Sequence, residues 1–246
     1  MLRFLVLIYG IVCYVVFLGT FLYAIGFVTN FAVPKSIDSG TAGDWVTSLI
    51  VDGALLGLFA VQHSVMARPA FKRLWMPIVS EPAERSTYVL FTSLLLLLLF
   101  WQWRTLPEPV WEVTSPPLRT LIWAICGLGW LVVLVSTFLI DHFGLFGLRQ
   151  VFLHFTGQPL RPVDFQTRVF YRFVRHPIMT GFVIAFWATP TMSVGHLFFA
   201  AMTTAYILVA IQLEERDLVT FHGDEYCEYQ RQVGMLIPRL NRRKST

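Results

Sequence analysis

The chain has 246 residues, of which 56% are hydrophobic and only 14% charged, and its mean hydropathy is +0.62. A soluble domain carries about 25% charged residues, so the apolar surplus belongs in lipid and a single membrane domain over residues 1–246 is expected. The net charge of +4 is scattered between apolar runs instead of gathered on one surface, which argues for membrane orientation and against a nucleic-acid partner.

The first apolar run extends from about Leu2 to Val28. Arg3 gives it the positive start of a secretory leader, but the run far exceeds the roughly 7 to 15 residues of a leader core and no small-residue cleavage site ends it, so a retained span is expected. A polar turn with Pro34, Lys35, Asp38 and Asp44 follows, then further runs from about Trp45 to Met66, Tyr88 to Trp103 and Leu118 to Ile140. Each approaches the roughly 20 residues that cross a bilayer as a helix. The last apolar run, Ile178 to Leu213, is too long for one crossing and is interrupted at Pro190, where a missing donor breaks the helix. The fold class expected is therefore all-α: a polytopic transmembrane helix bundle of four spans plus a C-terminal helical hairpin, five to six membrane helices in all, and a C-terminal helix on the cytoplasmic surface.

Lysine and arginine set the orientation. Arg68, Lys72, Arg73 and Arg85 follow the second run, and Arg149, Arg161, Arg168, Arg172 and Arg175 follow the fourth, whereas the intervening loops hold little beyond Lys35, Arg104 and Arg119. Both basic loops and both termini are expected in the cytoplasm. Cys13, Cys126 and Cys227 are far apart and form no CxxC pair, so neither a disulfide framework nor a metal site is expected. Gly53 and Gly57 fit a GxxxG packing pattern too common to fix an oligomeric state.

Two polar blocks flank the hairpin. Arg175-His176-Pro177-Ile178-Met179-Thr180-Gly181 leads into it, with a proline at the first helical turn and a titratable ring just before, a suitable place for an anionic group. Glu214-Glu215-Arg216-Asp217-Leu218 leaves it, followed by Gly223 and by Tyr226 and Tyr229, which share one face of a helix. Taken singly, the first block equally suits an interface anchor and the second an amphipathic surface helix.

Together the blocks resemble the membrane methyltransferases related to isoprenylcysteine carboxyl methyltransferase: RHPxxxG, a hairpin of apolar residues, then EExxLxxxxGxxYxxYxxxVxxxIP, over residues 170–238. Further stretches, Gln62-His63-Ser64, Asp141-His142-Phe143-Gly144-Leu145-Phe146-Gly147-Leu148-Arg149-Gln150 and Phe186-Trp187-Ala188-Thr189-Pro190, are similar to the bacterial methanethiol S-methyltransferases within that group. The resemblance implies that S-adenosylmethionine binds in the C-terminal part, residues 170–238, through Arg175, His176, Pro177, Gly181, Glu214, Glu215 and Tyr226. It further implies methanethiol as substrate, with dimethyl sulfide and S-adenosylhomocysteine as products, in contact with membrane lipid.

Alkylation of a thiol needs the thiolate, and hence a base or a cationic field. Histidine, neutral and able to accept a proton near pH 7, is the natural candidate. His142 beside Asp141, and His63 near the end of the second run, are the candidate catalytic residues; Arg149 is a candidate for holding the thiolate. His196, after the break at Pro190, and Asp52, within the second run, are read as structural, and His154 as part of a solvated polar loop. Two alternatives stay open: the same cofactor with a lipid or isoprenylcysteine acceptor, and a non-enzymatic transporter or accessory membrane protein, for which matched interrupted spans would be expected.

Overall fold

In the computed structural model of the chain, residues 1–40, 42–160 and 169–239 are described; Arg161 and Arg168 lie outside them. The elements in chain order are α1 (Leu2–Thr29), α2 (Trp45–Ala67), α3 (Pro69–Trp75), α4 (Glu81–Gln102), β1 (Pro109–Glu112), α5 (Pro116–Ile140), α6 (His142–Leu145), α7 (Leu148–Thr156), α8 (Pro177–Trp187), β2 (Thr191–Ser193), α9 (Val194–His222) and α10 (Asp224–Gln232). The protein is all-α, with two very short strands. Among the described residues, five helices, α1, α2, α4, α5 and α9, are long and apolar enough to cross a membrane. At 11 residues, α8 rises only roughly 16 Å of the ~30 Å hydrocarbon core, which makes it the short arm of the expected hairpin.

The helix ends follow local chemistry. Asp44 caps α2 by accepting from the Thr47 amide at 2.9 Å, and Asn30 ends α1 in the left-handed conformation. Glu81 and Glu84 occupy the first turn of α4, and Asp224 and Glu225 that of α10, where negative charge favours the N-terminal dipole. Pro177 opens α8, where its missing N–H costs nothing. The break at Pro190 is realised as a helix end at Trp187 and a short strand before α9.

The elements gather into two compact units. One contains α1 to α4, α6, α7 and the first residues of α9. Here Gly147 has a φ of +89° and lies against α4 so closely that a Cβ would fall 2.7 Å from the Ser86 backbone nitrogen. That contact seats the α6–α7 turn on α4. Asp52 of α2 is fully buried and its Oδ1 accepts from the Arg104 amide at 2.8 Å, tying α2 to the chain after α4.

The other unit contains α5, α8, most of α9, and α10. Its α5 and α8 cross at two glycines: a Cβ on Gly129 would lie 2.8 Å from the Gly181 carbonyl, and one on Gly181 2.7 Å from the Gly129 carbonyl. Small residues let the two backbones touch, the usual basis of close helix packing in lipid. Trp130 of α5 then packs edge-on against Phe182 and Phe186 of α8.

The segment between α5 and α8 departs from the expected polar loop. His154 lies in the nine-residue α7, whose Val151 is buried while Phe152 and Phe155 face outward. The heptapeptide α3, begun by Pro69, was likewise not expected.

Candidate active site

Within the unit built on α8, α9 and α10, the residue before the first turn of α8 is His176, and the chain leading to it is paired with the chain after α10. Val174 and Gly234 form a parallel bridge, the Arg175 amide donates to the Gly234 carbonyl at 2.8 Å, and the His176 amide donates to that of Met235 at 3.1 Å. Thr180 adds a hydroxyl bond to the Leu236 carbonyl at 3.0 Å. These main-chain bonds bring the two polar blocks together before any side chain is considered.

The side chains converge on Glu215. Its Oε1 accepts from Arg175 Nε at 2.6 Å, His176 Nε2 at 3.1 Å and the Tyr226 hydroxyl at 3.4 Å, and its Oε2 accepts from Gln230 Nε2 at 2.9 Å. Arg175 also donates through Nη1 to the carbonyls of Gln230 and Val233, at 3.2 and 2.5 Å, so its cation closes the end of α10. The Arg175, His176 and Glu215 side chains are about nine-tenths buried. A buried carboxylate of this kind is tolerable only because cation and donors surround it. Because an ionised carboxylate can only accept, His176 must carry its hydrogen on Nε2. Its Nδ1 then faces Glu214 Oε2 at 3.6 Å, and Glu214 is half-exposed.

Tyrosines wall the cluster. Tyr226 and Tyr229 share a face as their spacing requires, with ring centroids 5.8 Å apart, and the Tyr229 hydroxyl donates to the Tyr171 carbonyl at 2.6 Å. Burial raises the hydroxyl pKa of Tyr226 and Tyr171, and that of Tyr229 to about 12; neighbouring Glu215 and Glu214 push Tyr226 and Tyr171 further the same way. All three stay neutral donors. Beside the cluster, Gln212, Glu215, Arg216, Val219, Thr220 and Gln230 line an open cleft of about 390 Å³.

In the other unit, two histidines meet tyrosines. His142 Nε2 lies 2.8 Å from the Tyr14 hydroxyl of α1, with Phe143 and Phe146 edge-on to the imidazole. Burial lowers the His142 pKa, and the Asp141 charge opposes that shift. His63 lies 3.0 Å from the Tyr88 hydroxyl, and Arg85 sits 5.0 Å over the Tyr88 ring. Asp141 caps α6 by accepting from the Gly144 amide at 3.1 Å and pairs with Arg149 at 2.7 Å.

Comparison with known proteins places the chain. The methanethiol S-methyltransferase of Mycobacterium tuberculosis is 55% identical over 236 residues, covering 96% of this chain and 97% of that protein. Methanethiol S-methyltransferase 1 of Bradyrhizobium diazoefficiens is 55% identical over 236 residues, 96% of this chain and 83% of its own length. That of Crocosphaera subtropica is 52% identical over 241 residues, 98% of this chain and 94% of its own. The chain belongs to the methanethiol S-methyltransferase family. It is thus an enzyme of the methyltransferase class, as the sequence motifs implied. No protein-family model and no solved structure matches the chain.

On this member of the methanethiol S-methyltransferase family, the structure joins Arg175, His176, Glu214, Glu215 and Tyr226 in one cluster. Pro177 serves as the helix start, and Gly181 faces Gly129 of α5. Gln230 and the carbonyls of residues 233–236 were not foreseen; the amide beside Tyr229 carries no motif, and main-chain partners leave no mark in sequence. Tyr14 and Tyr88, which meet the two histidines, were not among the expected site residues.

Proposed function

We propose that the protein transfers a methyl group from S-adenosylmethionine to methanethiol, giving dimethyl sulfide and S-adenosylhomocysteine. The observation that carries the proposal is the convergence of Arg175, His176 and Glu215, with Glu214 beside them, in a chain more than half identical to methanethiol S-methyltransferases over nearly its full length. The donor set suits such a cofactor. Glu214 offers an open carboxylate to an ammonium or hydroxyl group, and the neighbouring cleft lined by Gln212, Arg216, Val219, Thr220 and Gln230 gives a ligand room beside it. When bound, S-adenosylmethionine supplies a methyl group on a sulfonium, and its transfer to a thiolate leaves two neutral sulfides.

The chain's own part is to bind, to orient and to take a proton. Residues 170–238 form the donor-binding part of one membrane domain, held at the cytoplasmic face of a bacterial inner membrane with both termini on that side. His142, kept neutral by burial and touched by Tyr14, accepts the thiol proton; His63 with Tyr88 is the second candidate. Arg149, paired with Asp141 at 2.7 Å, is the cation proposed to hold the thiolate. Holding the two sulfurs in line contributes up to roughly 7 to 11 kcal/mol of barrier lowering.

An acceptor screen with methyl-labelled S-adenosylmethionine tests donor and acceptor together. Label is expected in dimethyl sulfide and only when methanethiol is present. Transfer to a lipid or prenylated cysteine instead, or no transfer at all, overturns the assignment.

A further inference from the structure

Gln230 touches the cluster twice. Its side-chain amide donates to Glu215 Oε2 at 2.9 Å, and its own carbonyl accepts from Arg175 Nη1 at 3.2 Å, while Arg175 Nε holds the other oxygen of the same carboxylate. The bonds close a ring from Glu215 through Arg175 to Gln230 and back. A carboxylate held through one oxygen swings about its terminal bond; held through both, it presents Oε1 in a fixed direction. That direction is toward His176 Nε2, whose hydrogen it accepts at 3.1 Å. We propose that Gln230 is a positioning residue: through Glu215 it fixes the tautomer and ring plane of His176, and so the geometry with which His176 Nδ1 and Glu214 meet the methyl donor.

The inference rests on the donor assignment made above and adds to it a residue on α10 that acts at one remove. Gln230 meets Glu215 of α9 and Arg175 before α8 and shares a cleft with Arg216, while His176 and Tyr226 reach the same Glu215 carboxylate. A carboxylate in place of the amide meets Glu215 as a like charge, and two such groups at hydrogen-bond distance cannot both ionise cheaply. On acidification the introduced acid takes up a proton and becomes a donor to Glu215 Oε2, which restores the bond the amide made.

The test uses the full-length enzyme in detergent or nanodiscs, with S-adenosylmethionine and S-adenosylhomocysteine as binding probes. Gln230→Ala is expected to raise both dissociation constants by roughly tenfold, the scale of one hydrogen bond to a charged group, while kcat at saturating donor stays within about twofold. Gln230→Glu is expected to bind more weakly than Gln230→Ala at pH 8 and, relative to wild type measured over the same window, to recover at least about tenfold of affinity by pH 6. With the unfolding midpoint of Gln230→Glu shown to match that of Gln230→Ala, a response across pH no different from wild type overturns the proposal. Equal donor affinity in wild type and both variants also overturns it. Wild-type enzyme that binds neither probe removes the donor assignment first, and this inference with it.

Discussion

The histidines of the two units are held by different chemistry. His176 is gripped by a buried carboxylate that an arginine, an amide and a tyrosine share, and its tautomer is dictated. His142 and His63 are met by tyrosine hydroxyls, which can donate or accept, and His63 also by the Thr92 hydroxyl at 3.4 Å. A ring tied to a carboxylate is suited to holding a ligand in one pose. A ring bonded to a hydroxyl is better suited to gaining and losing a proton, because its partner can reverse roles as the charge changes.

The largest effect that separates these environments is expected from His142→Ala. It should slow turnover by roughly 10² to 10⁴, the worth of a positioned base, and leave donor affinity unchanged in equilibrium binding. Full turnover in that variant transfers the role to His63, for which His63→Ala is the matching assay. Next comes Glu215→Ala, which strands the nine-tenths-buried Arg175. Breaking such a pair costs about 3 to 5 kcal/mol, read as a lower unfolding midpoint together with lost donor binding. Glu215→Gln, which keeps the shape, should lose donor affinity with a smaller fall in stability.

Gly181→Ala comes third: the added methyl meets the Gly129 carbonyl and the Val133 nitrogen, backbone atoms that cannot step aside. A loss of about 1 to 3 kcal/mol in stability is expected, and a neutral result means that α5 and α8 part more easily than their crossing implies. The smallest effect is that of Tyr14→Phe on turnover, about tenfold or less for one uncharged hydrogen bond.

The pH profile sharpens the same contrast. Burial lowers the His142 pKa in the folded enzyme below the ordinary value of about 6.5, so the unfolded chain takes up this proton first as pH falls. Stability from the neutral ring is therefore complete above about pH 6.5 and is lost as pH drops through the folded value. Turnover should hold through mild acidity and fail only below about pH 6.5, a limb that must vanish in His142→Ala if His142 is the base.

The spans were legible because hydropathy and length carry them: Leu2–Thr29 and Trp45–Ala67 end within a residue or so of the expected runs. The start of α4 was not, since Glu81 to Thr87 is polar and its helicity comes from a proline start and acidic first turn. The donor-side motif was legible as residues but not as roles. Adjacent Glu214 and Glu215 look alike in sequence, yet successive residues on a helix face about 100° apart, so one is buried among donors and the other opens outward. The Tyr14 hydroxyl that meets His142 lies 128 residues away on α1, a separation that no local motif records.

The strip of main chain from Gly234 to Leu236 has one more consequence, for biogenesis. Arg175 and Glu215 emerge from the ribosome before the carbonyls and amide that neutralise their isolation, so the nascent hairpin must hold an unfinished ion pair at the edge of the bilayer until α10 follows.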